Sequence, residues 1–154
     1  MRLPIQSGHA RRAYIDAMPY MDPSQFSPET LMSTLGIQVT EATPERVVAQ
    51  MEVTPRHHQP FGFLHGGASV ALAETVASIG AYLAAPEGHT SFGLEINANH
   101  LRSMRSGKVT AVATPLHKGR TTHVWNIEIR DEKSRLVCVS RCTLAIVPAR
   151  GDSR

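Results

Sequence analysis

Glu74 is the only charged residue between Ala68 and Ala85. Val70, Ala71, Leu72 and Ala73 precede it, and Val76 and Ala77 follow. On a helix, Ala71 and Ser78 share its face. An exposed helical face of this length normally carries several charges, and burying a carboxylate without a partner costs several kcal/mol. Glu74 is therefore either paired inside the protein or lines a cleft. Ser78, one turn on, has a hydroxyl that can bond the carboxylate or hold a water beside it.

A second group precedes the apolar run. His65-Gly66-Gly67 places two glycines where the backbone can approach another group closely. A helix starting there would present first-turn N–H groups with no intrahelical acceptor. With the helix dipole, those donors favour an anion or a developing oxyanion. The structural alternative is a tight turn that needs glycine for its conformation. Gln59 offers an amide just upstream, Pro60 and Gly62 shape the approach, and Phe61, Phe63 and Leu64 supply an apolar wall. His57 and His58 read as ligands or as a wet loop. There is no HExxH, and Glu74 has no histidine three or four residues on, so no metal is implied.

The stretch GLEINANH (93–100) carries Asn97, Asn99 and His100. Strand alternation puts Glu95, Asn97 and Asn99 on one face and Leu94, Ile96, Ala98 and His100 on the other. The polar row reads as a wet face or a buried hydrogen-bonded network. Arg102, Arg105 and Lys108 form one basic group, and Lys118 and Arg120 another. They suit a phosphate-bearing small ligand, and a solvated face explains them equally well.

These residues need elements to position them. Ser27-Pro28-Glu29 reads as an N-cap, a first-turn proline and a first-turn acid, opening a short helix that Gly36 stops. Val47, Ala49, Met51 and Val53 alternate with Val48, Gln50 and Glu52, giving a strand that Pro55 ends. The Ala-rich stretch 68–85 predicts a long helix, closed by Pro86 and Gly88. Further strands are expected over 91–100, 108–116, 121–130 and 135–147. The polar turn 131–134 joins the last two into an antiparallel meander. The helix is apolar on nearly every face, so it should be buried on nearly every side. One sheet curled around it does this, giving an α+β class. The uncovered edges predict a dimer at least.

The chain has 154 residues, one domain by length. We divide it into an N-terminal arm (1–26), one domain (27–147) and a short tail (148–154). Net charge is +3 and aromatics are 5%, which argues against a nucleic-acid platform. No signal-peptide pattern opens the sequence, and the polar residues within 68–85 argue against a membrane span. Cys138 and Cys142 fall on one face of a strand, too far apart along it for a disulfide, and free thiols suit the cytoplasm.

The segments QPFGFLHGGASVALAETVAS (59–78) and GLEINANHLRSMRSGKVTAVATPLHKGRTTHVWNIEIRDEKSRLVCVSRCTLAI (93–146) resemble the hotdog-fold acyl-CoA thioesterases. The resemblance is to the aryl branch, which includes 1,4-dihydroxy-2-naphthoyl-CoA hydrolases, enterobactin proofreading thioesterases and 4-hydroxybenzoyl-CoA thioesterases. It implies a curved antiparallel sheet around one central helix and hydrolysis of an aryl acyl-CoA without a cofactor. It further implies Glu74 as nucleophile or general base and Gly66 as the amide that polarises the carbonyl. Gln59 and His65 would lie near the carbonyl or the leaving thiolate, and Ser78 would place the water. His100 would lie near the ligand across a dimer interface. Arg102, Arg105, Lys118 and Arg120 would meet the nucleotide and pyrophosphate of coenzyme A. The expected assembly is a homodimer with shared sites, two of which make a tetramer. The rival readings are a carrier-protein thioesterase, a dehydratase of the same fold and a non-catalytic acyl-CoA scaffold.

Overall fold

The computed structural model describes residues 29–149. The arm over 1–26, the cap expected at Ser27 and Pro28 and most of the tail lie outside the described residues. The first helix, α1 (Leu31–Leu35), is capped by Thr30, in a reciprocal box with Ser33. Glu29 is therefore not in its first turn, and the expected cap was three residues early. Gly36, left-handed at φ 64°, ends the helix as expected.

Six strands follow: β1 (Gln38–Ala42), β2 (Val47–Val53), β3 (His89–His100), β4 (Gly107–Lys118), β5 (Thr122–Asp131) and β6 (Leu136–Pro148). The central helix α2 (Gly66–Ala84) separates β2 from β3. The strands form one antiparallel sheet in the order β1-β2-β4-β5-β6-β3. The expected meander is β4-β5-β6, and β3 is added on its far side. β1 was not picked out from sequence. It is short, and a bulge between Val39 and Glu41 breaks the alternation that would have marked it.

α2 touches all six strands, and the sheet curves around it, as in the hotdog fold. Leu72, Ala73, Val76, Ala77 and Ala81 are fully buried against the sheet. Their small size lets the helix lie low on the strands. Gly80 marks the closest approach, since a Cβ there would lie 2.4 Å from the Trp125 ring. The opposite face is more open: Val70, Ala71, Glu74, Thr75, Ser78 and Tyr82 are only partly buried. Burial on nearly every side therefore holds for one face alone within a single chain. α2 is also long and apolar enough to cross a membrane, yet half of it is buried within this fold, where it serves as the core helix.

Leu72 has no exposed surface and sits at the centre of this core. Leu72→Ala should lower unfolding stability by about 2–5 kcal/mol, read from urea denaturation. A loss within error of zero would mean that the core is not organised around this helix face.

Candidate active site

α2 begins two residues earlier than the sequence suggested. Gly66 and Gly67 are its first two residues, and His65 is the N-cap. The His65 Nδ1 accepts the Gly67 N–H at 2.8 Å. The His65 carbonyl takes the Ala68 and Ser69 N–H groups. The Gly66 N–H has no protein acceptor among the described residues. Neither glycine has a positive φ, so the reason for glycine is space rather than conformation. A Cβ on Gly66 would lie 2.7 Å from the His100 Nε2.

Gly66 lines a cleft of about 420 Å³ together with Gln59, Phe63, Leu64, Ser69, His100, Leu101, Arg102 and Val137. The Gln59 side-chain oxygen accepts the Phe61 N–H. Its NH2 has no acceptor among the described residues and is a second donor. Phe63 carries the Arg105 guanidinium over its ring at 4.0 Å, at the same end of the protein. Phe61 is 82% exposed and forms no part of the expected wall.

The other histidines resolve differently. His57 is buried, and its Nδ1 accepts the Thr54 N–H at 3.0 Å. Its Nε2–H therefore donates to the Leu35 carbonyl at 2.9 Å, tying α1 to the end of β2. His58 donates to the Arg105 carbonyl at 2.7 Å. Both are structural ties rather than ligands or a wet loop. His65 lines a second cleft of about 330 Å³ with Leu31, Leu35, Arg56 and Ala71, not the cleft of Gln59 and His100. Among the described residues no group of three His, Cys, Asp or Glu side chains is set to hold a metal.

β3 runs beside α2 and carries the rest of the site. Ser91 donates its hydroxyl to the Ser78 carbonyl at 3.2 Å. Further along, a Cβ on Gly93 would lie 2.4 Å from Glu74 Oε1. At the far end His100 covers Gly66. Ile96 and Ala98 pack on the core from this same face, and Asn97 and Asn99 are exposed on the other, so the polar row is a wet face. Leu94 departs from the alternation. It is the extra residue of a bulge between Gly93 and Glu95, and is 64% exposed. Within the chain the Glu74 carboxylate accepts no hydrogen bond from described residues, Ser78 included.

The two basic groups lie apart. Arg102 and Arg105 precede β4, whereas Lys118 ends it. That is about 35 Å of strand at ~3.3 Å per residue. Lys118 is paired with Glu45. One chain therefore cannot bring both groups to one pyrophosphate.

The sequence matches the thioesterase superfamily over residues 61–138. It is 51% identical to the 1,4-dihydroxy-2-naphthoyl-CoA hydrolase of Listeria monocytogenes, over 78% of this chain and 98% of that one. It is 46% identical to the proofreading thioesterase EntH of Cronobacter turicensis, over 77% of this chain and 86% of that one. The crystal structure of a Haemophilus influenzae thioesterase superposes with a TM-score of 0.77 at 49% identity, covering 82% of this chain and 89% of that one.

Cys142 lies on the sheet face towards α2, near Glu74. Burial, then the charges of Glu74 and Glu95, push its thiol up to about 12. Burial also raises Cys138. Both thiols are free and should stay protonated at neutral pH. Neither should react with a thiol reagent in the folded protein, and both should react in denaturant. Rapid labelling of the folded chain would contradict this packing.

Proposed function

Since this chain belongs to the thioesterase superfamily, we propose that it hydrolyses an aryl acyl-CoA to the free acid and coenzyme A. It is a thioester hydrolase of the hotdog fold. The observation that carries the proposal is the Gly66 N–H at the positive end of α2, lining a cleft and lacking an acceptor among the described residues. The thioester oxygen binds there as negative charge develops on it, with the Gln59 NH2 as a second donor. Glu74 then acts in one of two ways. Its carboxylate attacks the carbonyl carbon and expels the CoA thiolate, leaving an anhydride that water opens. Alternatively it takes the proton of an attacking water, which Ser78 helps to place. His100 borders the bound carbonyl, and His65 holds the first turn of the helix in place.

Gly66 and Glu74 cannot serve one carbonyl from one chain. Eight residues of helix separate them, about 12 Å of rise at 1.5 Å per residue. A two-fold partner running antiparallel brings Glu74 of the partner subunit beside Gly66, and the reverse. β3 offers the contact. It is a twelve-residue edge strand with Phe92 61% exposed, beside the open face of α2. The unit is thus a homodimer with two shared sites, and two such dimers make the tetramer.

Phe63, Leu64, Leu101 and Val137 give the cleft apolar surface for a flat ring. The likeness to a dihydroxynaphthoyl-CoA hydrolase supports that substrate class. Arg102 and Arg105, at the same end as the cleft, are the groups placed to meet the phosphates of coenzyme A. Lys118 and Arg120 can do so only from another subunit. The likeness to a proofreading thioesterase favours carrier-protein aryl thioesters as the second reading. Two free buried thiols fit a cytoplasmic enzyme.

Thiol release from 1,4-dihydroxy-2-naphthoyl-, benzoyl-, phenylacetyl- and straight-chain CoA esters tests the reading. The aromatic esters should be preferred, and Glu74→Gln should lower kcat by about 100-fold or more. Preference for straight chains would reject the aryl assignment. Wild-type turnover by Glu74→Gln would reject the role of the carboxylate.

A further inference from the structure

We propose that Gly93 is a positioning residue for Glu74: the bare backbone of β3 is the seat that sets where the carboxylate lies. The proposal rests on the reading of Glu74 as the reacting carboxylate.

Gly93 faces the helix because it stands opposite Leu144, a buried residue of β6. A Cβ there would lie 2.4 Å from Glu74 Oε1 and 3.6 Å from its Cδ, closer than van der Waals contact allows for the oxygen. The backbone of Gly93 has no positive φ. Any L-residue can adopt its conformation, so only the carboxylate forbids a side chain. The bulge at Leu94 follows directly, and beyond it Glu95 stands opposite Thr143 on the outer face. The next inward residue in register beyond Gly93 is Ile96, opposite buried Cys142.

The helix and the strand are fixed at this level. The Ser91 hydroxyl binds the Ser78 carbonyl, one turn beyond Glu74. Residues 72, 73, 76 and 77 are locked into the core on the other side. An added methyl group therefore meets the free end of the Glu74 side chain, which is the one party able to rotate. Gly93→Ala should fold normally and displace the carboxylate by about an ångström or more, enough to cost on the order of 10- to 100-fold in rate.

The test is a double-mutant cycle on benzoyl-CoA, or on the best ester of the panel, with wild type, Gly93→Ala, Glu74→Asp and the double variant. Aspartate is one methylene shorter and withdraws from the added methyl. Gly93→Ala should lower kcat on the order of 10- to 100-fold with KM changed by less than about threefold. The double variant should lose less than the product of the two single losses. Wild-type kcat in Gly93→Ala would overturn the proposal, as would losses that simply multiply. A Gly93→Ala chain that fails to fold would also overturn it, because the carboxylate would then not be the part that yields. Glu74→Gln in the same assay keeps the two ideas apart. If it retains turnover, the underlying reading fails. If it is inactive while Gly93→Ala is normal, only the seat is lost.

Discussion

The distance between one helix and one edge strand governs this molecule. α2 lies against β3 closely enough that a hydroxyl reaches a carbonyl at Ser91 and Ser78, and no Cβ fits at Gly93 or Gly66. The same helix is held from behind by fully buried Leu72, Ala73, Val76 and Ala77. Close packing leaves it little freedom to shift. The groups on its open face are therefore presented at fixed points: the Gly66 backbone under His100, the Glu74 carboxylate at the strand, the Ser78 carbonyl at the tie. A looser fit would have kept the fold and lost these positions.

The polar groups along this seam share an unfinished state. Among the described residues the Gly66 N–H, the Gln59 NH2 and the Glu74 carboxylate have no partner. Proteins rarely leave such groups unpaired where water is restricted. Donors at one end of the helix and an acceptor about 12 Å away invite completion by a substrate and a second copy. In the proposed reading, an electrophilic carbonyl with its oxygen on the donors and its carbon near the partner's carboxylate satisfies both. This is the arrangement a thioester hydrolase needs, and the family to which the chain belongs performs that reaction.

Much of this was legible in the residues. The long helix showed through its Ala-rich composition, and β2 through the alternate apolar residues Val47, Ala49, Met51 and Val53. The meander showed through the polar turn at 131–134. Glu74 stood out because it was alone among apolar neighbours. What stayed hidden depended on distance across the fold. The glycines before the apolar run were read as preceding the helix, whereas they form its first two residues. β1 and the placement of Leu94 were obscured by bulges, which shift the two-residue period. Phe61 looked like a wall residue, but the turn at 59–62 sends it outward. The two basic groups seemed equivalent in sequence, and strand length alone sets them at opposite ends. Gly93 gave no signal, since its meaning lies in the carboxylate across from it.

In the proposed reaction centre Gly66 comes from one chain and Glu74 from the other. Subunit mixing tests it most directly. Glu74→Gln and Gly66→Val should each be inactive alone. Co-refolded in equal amounts, half the dimers are mixed, and each mixed dimer has one intact site of its two. Activity should therefore recover to about one quarter of wild type. If both groups serve a site within one chain, every site in the mixture is damaged. No recovery, with mixed dimers shown to have formed, would contradict it.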